Sequence, residues 1–201
     1  MPDMSFRPRF HFLPVSNWIN DPNGLIEWEG QYHLFYQANP ETPDFGRMVW
    51  GHAVSPDLVH WERRSIALRP DTPADQDGCW TGCAVDYNGV PTLVYTGRVG
   101  ETENVCRATS PDGLRTFIKP ANNRLDVFPP LGERLAGFRD PYAWRESDGW
   151  YMVVEVFAND RLSLTSRVYP TLPDSVGVRL FSSGGPAAVK TVRIWGMKPI
   201  W

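Results

Sequence analysis

Residues 24–37 read GLIEWEGQYHLFYQ, residues 84–97 read AVDYNGVPTLVYTG, and residues 142–156 read YAWRESDGWYMVVEV. Each is a short strand, an acidic or Asn/Gly turn, and a stronger strand ending in aromatic and β-branched residues. The turn glycines, Gly30, Gly89 and Gly149, fall 59 and 60 residues apart. A second element recurs at nearly the same interval. AVSPDLVHWE at 53–62 and ATSPDGLRTFIK at 108–119 both read as strand, Ser-Pro-Asp turn and strand. Each repeat therefore holds about four strands. Helix signals are nearly absent, because 19 Pro and 17 Gly interrupt almost every window long enough for one. Tandem four-stranded units predict a β-propeller. A β-sandwich also has many short strands, but the fixed period favours the propeller.

The chain of 201 residues has 42% hydrophobic and 21% charged residues, ordinary for a globular domain. Its formal net charge of −3 comes with no basic stripe, so nucleic acid is not the expected partner. No apolar run approaches the roughly 20 residues that span a bilayer, so no membrane partner is expected either. The first residues carry no secretory signal pattern. Three cysteines (Cys79, Cys83, Cys106) and four histidines form no metal-ligand spacing. The cysteines are read as reduced thiols, the chain as cytoplasmic, and no metal or cofactor is expected. Nine Trp among 13% aromatics suit a β-rich core and equally a sugar site.

Chemistry concentrates in Asn17 to Leu25, NWINDPNGL. Pro22-Asn23-Gly24 is a turn text, but Trp18 and Asn20 beside Asp21 suit a pocket that presents a carboxylate. Trp18-Ile19-Asn20-Asp21-Pro22-Asn23-Gly24 closely resembles the signature of glycoside hydrolase family 32, the invertases, sucrose-6-phosphate hydrolases, levanases and inulinases. Further segments resemble that family in the same order: His33 to Gln37, Trp50 to Ser55 running on to Trp61, Trp80-Thr81-Gly82-Cys83, Tyr95-Thr96-Gly97, and Phe138-Arg139-Asp140-Pro141. At Trp80 and Thr81 the chain departs from the family's usual Phe-Ser.

The resemblance implies a five-bladed propeller and retaining hydrolysis of β-fructosidic bonds in sucrose or fructans. It assigns Asp21 as nucleophile and Asp140 as transition-state stabiliser. Asn20, Gln37, Thr81 and Arg139 match substrate-binding positions, and Phe45 and Trp80 match aromatic positions walling the pocket. Arg139 could equally form a structural salt bridge, and Phe45 and Trp80 could equally pack a blade. Trp50 and Trp61 read as packing residues. The expected partner is a small-molecule or oligomeric fructoside.

The family's acid/base, a Glu in a Glu-Cys motif beyond Arg-Asp-Pro, has no counterpart here. Glu146 and Glu155 are the only glutamates after Pro141, and neither precedes a cysteine. About sixty residues per blade give about three blades, so the expectation is an all-β chain with two parts. Residues 5–156 would be the N-terminal blades of a partial five-bladed propeller of four-stranded antiparallel sheets. Residues 157–201 would be a divergent tail that is poorly ordered or non-homologous. Hydrolysis is accordingly expected to be impaired, with a non-catalytic fructoside-binding module or a gene fragment as the alternative.

Overall fold

The computed structural model describes residues 11–126, 137–147 and 149–155; the expected tail at 157–201 lies outside the described residues. Among the described residues there is no helix. Nine strands form three antiparallel sheets. The first sheet takes β1 (Trp18–Trp28), β2 (Gln31–Asn39), β3 (Val49–Ser55) and β4 (Glu62–Arg63) in chain order. The second takes β5 (Gly78–Tyr87), β6 (Val90–Val99) and β7 (Thr102–Thr109). The third takes β8 (Arg139–Glu146) and β9 (Gly149–Glu155). These are three successive propeller blades, and the second is extended by isolated bridges from Thr109 to Ile118 and from Cys106 to Arg124. Among the described residues four named strands occur in the first blade alone, and its fourth, β4, pairs with β3 over two residues.

The two central turn positions of the first two hairpins have positive φ. They are Glu29 (50°) with Gly30 (76°), and Asn88 (55°) with Gly89 (83°). This is the left-handed pair that matches the twist of flanking strands, which is why glycine closes each turn. In the Ser-Pro-Asp turns the aspartate caps the loop. Asp57 Oδ1 accepts from the amides of Val59 and His60 at 2.9 and 2.8 Å. Asp112 Oδ1 accepts from Arg115 and Thr116 at 3.2 and 2.9 Å.

The strands of the second blade alternate their side chains between its two neighbours. Leu93, Tyr95, Cys106 and Ala108 of the second blade pack on Phe35 and Trp50 of the first. Val94 and Val105, one residue out of phase, pack on Phe138 and Ala143 of the third. Trp50 is fully buried and packs as expected. Trp61 covers Tyr36 and Leu34 on the other side of the first blade, together with Phe12. Removing a ring as large as Trp50 from such a core costs about 3–5 kcal/mol.

Candidate functional site

The opening strand of each blade carries an irregularity at the same place. The β1–β2 register shifts between Ile19 and Pro22, the β5–β6 register between Trp80 and Gly82, and the β8–β9 register between Arg139 and Tyr142. The residues inside these shifts include Asp21, Thr81 and Asp140, 60 and 59 positions apart. A bulge inserts a residue that has no opposite partner and re-aims its side chain. The repeat that builds the fold therefore also delivers one polar residue per blade.

These three residues are joined. Thr81 Oγ1 donates to Asp21 Oδ2 at 2.8 Å. Gln37 Nε2 donates to the same oxygen at 3.2 Å and also contacts Thr81 Oγ1. Thr96 Oγ1 donates to the carbonyl of Thr81 at 3.1 Å and accepts from the amide of Asp140 at 2.8 Å. Asp140 has φ of +58°, in the left-handed region. Both donors on Asp21 address Oδ2. Charge-assisted bonds of this kind fix a carboxylate's orientation.

The neighbouring residues follow. Asn20 Oδ1 accepts from Trp18 Nε1 at 2.7 Å. Trp18, Phe45 and Trp80 form a row of edge-to-face rings with centroids 6.1 and 5.7 Å apart, and Phe45 is half exposed. Phe45 therefore meets other aromatic rings rather than a blade core. Arg139 approaches Asp140 Oδ2 at 3.6 Å and pairs with Glu103 Oε1 at 3.3 Å. Arg139 thus forms the expected salt bridge to Glu103 while lying beside the Asp140 carboxylate. Glu103 is buried and also takes Arg98 at 3.2 Å, whose guanidinium lies 4.7 Å from the Trp80 ring.

Gln37 Oε1 and Trp80 Nε1 are buried without a hydrogen-bond partner among the described residues. Both sit beside the bulge residues, and a polyol could satisfy an acceptor and a donor so placed. Neither Thr96 nor Glu103 drew a site role from the sequence. Thr96 had a signal, since it stands 59 residues after Gln37 in the repeat and likewise follows a tyrosine. Glu103 had none. Among the described residues no group of three or more His, Cys, Asp or Glu is placed to hold a metal ion.

Two clefts lie elsewhere. One of about 450 Å³ is lined by Trp28, Glu29, His33, His52, Arg64 and Arg115 among others. Another of about 480 Å³ is lined by Tyr87, Ile118, Leu125, Trp150 and Met152 among others. Neither includes Asp21, Thr81 or Asp140.

Comparison with known proteins shows the family. Residues 11–169 match the description "Glycosyl hydrolases family 32 N-terminal domain", and residues 151–196 match "Glycosyl hydrolases family 32 C terminal". The second match overlaps the stretch from 157 onward that the sequence sets apart. A sucrose-6-phosphate hydrolase of Zymomonas mobilis is 47% identical over 162 residues, covering 77% of this chain and 31% of that protein. The chain thus spans about a third of the length of the curated relatives it matches. Among solved structures, fructan 1-exohydrolase IIa from Cichorium intybus is 41% identical with a TM-score of 0.62, over 72% of this chain and 28% of that one. A Bombyx mori GH32 beta-fructofuranosidase is 37% identical with a TM-score of 0.70, over 78% of this chain and 34% of that one. The chain belongs to glycosyl hydrolase family 32.

Proposed function

We propose that the chain carries the nucleophile side of a retaining β-fructosidase site, with sucrose or a fructan as the natural class of substrate. The carrying observation is the hydrogen-bonded line from Asp21 through Thr81 and Thr96 to Asp140. Asp21 Oδ2 is anchored by two donors, so Oδ1 is the oxygen that attacks the fructosyl anomeric carbon. Attack gives a covalent fructosyl-enzyme, which water then cleaves. Asp140 accepts from fructose hydroxyls whose acidity rises as positive charge develops on the ring. Arg139, steadied by Glu103, holds that carboxylate from the side. The Trp18, Phe45 and Trp80 rings form an apolar wall for the sugar.

A second reading, fructoside binding without efficient turnover, is favoured by one observation. Glu146, one of the two glutamates after Pro141, lies at the β8–β9 turn opposite Gly149 and accepts from Trp144 at 2.9 Å. It stands at the far end of the hairpin from Asp140. Loss of general acid catalysis costs about 10²- to 10⁴-fold when the leaving group is an alkoxide. An aryl leaving group departs without that proton. The test compares sucrose with nitrophenyl β-fructofuranoside on the 201-residue chain. Release of nitrophenol that is abolished in Asp21→Asn, with sucrose cleaved slowly or not at all, supports the catalytic reading. Fructose binding without nitrophenol release supports the binding reading. Absence of both overturns the proposal.

A further inference from the structure

We infer that Thr96 is a positioning residue of this site, the clamp that sets the Asp140 carboxylate relative to Asp21; the functional part of the inference rests on the fructosidase reading above. Thr96 is fully buried, and its one hydroxyl is used in both directions. It donates to the carbonyl of Thr81 at 3.1 Å and accepts from the amide of Asp140 at 2.8 Å. Asp140 lies inside the register shift of β8. Asp140 also precedes Pro141 and yet has φ of +58°. A residue before proline is pushed toward extended backbone, and a non-glycine residue in the left-handed region persists only where its surroundings over-determine it. The Thr96 hydroxyl is a contact that does so.

The strand period explains why the clamp reaches the third blade. Val94, two residues earlier on β6, faces the third blade, so Thr96 faces it too, while Tyr95 faces the first. Gln37 is its repeat equivalent 59 residues earlier, and its side-chain amide donates to the hydroxyl of Thr81 in the next blade. In the first two blades, one buried polar residue on the second strand thus contacts the bulge residue of the blade that follows, Gln37 at the Thr81 hydroxyl and Thr96 at the Asp140 amide. Because Thr81 also binds Asp21, the Thr96 oxygen is linked both to Thr81 on the nucleophile side and to Asp140 on the stabiliser side.

The test uses Thr96→Val, which keeps the shape and removes the hydroxyl, and Thr96→Ser, which keeps the hydroxyl. NMR backbone shifts of Asp140 report its φ without any need for activity. The inference expects φ to leave the positive region in Thr96→Val and to stay there in Thr96→Ser. On nitrophenyl β-fructofuranoside, kcat should fall about 10- to 100-fold in Thr96→Val with KM little changed, and Thr96→Ser should restore most of it, since a small misplacement of a catalytic group costs on that order. An Asp140 φ unchanged in Thr96→Val overturns the inference whether or not the chain turns over. So does a Thr96→Ser variant as impaired as Thr96→Val, because packing and not the hydroxyl would then be at work. A wild-type chain with no turnover counts against the fructosidase reading alone, and the Asp140 backbone still decides the clamp.

Discussion

The Thr81 hydroxyl donates a 2.8 Å hydrogen bond to the Asp21 carboxylate across 60 residues of chain. This contact fastens the opening strands of two neighbouring blades at their bulges, so the site depends on blade packing and not on one loop. Replacing Thr81 by Val removes a charge-assisted bond worth about 1.5–3 kcal/mol. The rate on nitrophenyl β-fructofuranoside is expected to drop about 10- to 100-fold, with Thr81→Ser close to wild type. Steady-state kinetics on the three proteins checks this.

The bulge that presents Thr81 depends on the residue after it. A Cβ at Gly82 would stand 2.1 Å from the Val94 carbonyl oxygen and 2.6 Å from the Tyr95 Cα, both backbone atoms. Gly82→Ala must therefore push β5 from β6. Overpacking of this kind costs about 1–3 kcal/mol or more. A melting temperature lower by several degrees, together with lost turnover, is expected from thermal denaturation and kinetics.

Behind the site, Lys119 Nζ sits 2.7 Å from Asp75 Oδ2 and 2.7 Å from Asp71 Oδ1, and Asp75 is fully buried. Burial pushes the Asp75 carboxyl up, but hydrogen bonds from Lys119 and Tyr95 outweigh it and hold the group below its ordinary range. Lys119→Met leaves that charge buried and opposed only by neutral donors. Breaking one side of a buried pair costs about 3–5 kcal/mol. Urea denaturation at neutral pH is expected to show a loss of that size.

His33 Nδ1 and His52 Nε2 lie 2.9 Å apart, and the His52 ring stacks on Phe35. Burial, then the neighbouring His33 and Arg64, pushes His52 down to about 3, and burial also lowers His33 despite Glu27 and Glu29 nearby. Between the ordinary histidine value of 6.5 and about 3, the unfolded chain takes up a proton that the folded chain does not. Stability is therefore fully present above about pH 6.5 and is lost as pH falls, on the order of 1 kcal/mol per pH unit. Urea midpoints measured from about pH 7 to about pH 4.5 should decline in wild type and less steeply in His52→Gln.

Much of this was legible in the sequence, and the reason is periodicity. The hairpin turns need Asn or Gly, and the strands need alternating β-branched and aromatic residues, so Gly30 and Gly89 marked the blades. Asp21, Gln37, Thr81 and Asp140 stood in distinctive text. Thr96 stood in the Tyr95-Thr96-Gly97 text but drew no role, because a threonine in a strand reads as ordinary β-branched filler, and its contact to Asp140 comes from the next blade. The left-handed backbone of Asp140 was also hidden. The following proline argues locally for extended backbone, and a contact 44 residues away overrides it. Glu103 becomes part of the site only through two arginines brought to it by β6 and β8.

The most direct test of the account is the mass of the chain during reaction. Nitrophenyl β-fructofuranoside should load the protein, and water should then clear it. Rapid acid quenching and intact-mass measurement should then find a protein heavier by one anhydrohexose, with peptide mapping placing it on Asp21 and none in Asp21→Asn. Nitrophenol release without an adduct on Asp21, or with the adduct on another residue, would contradict the account.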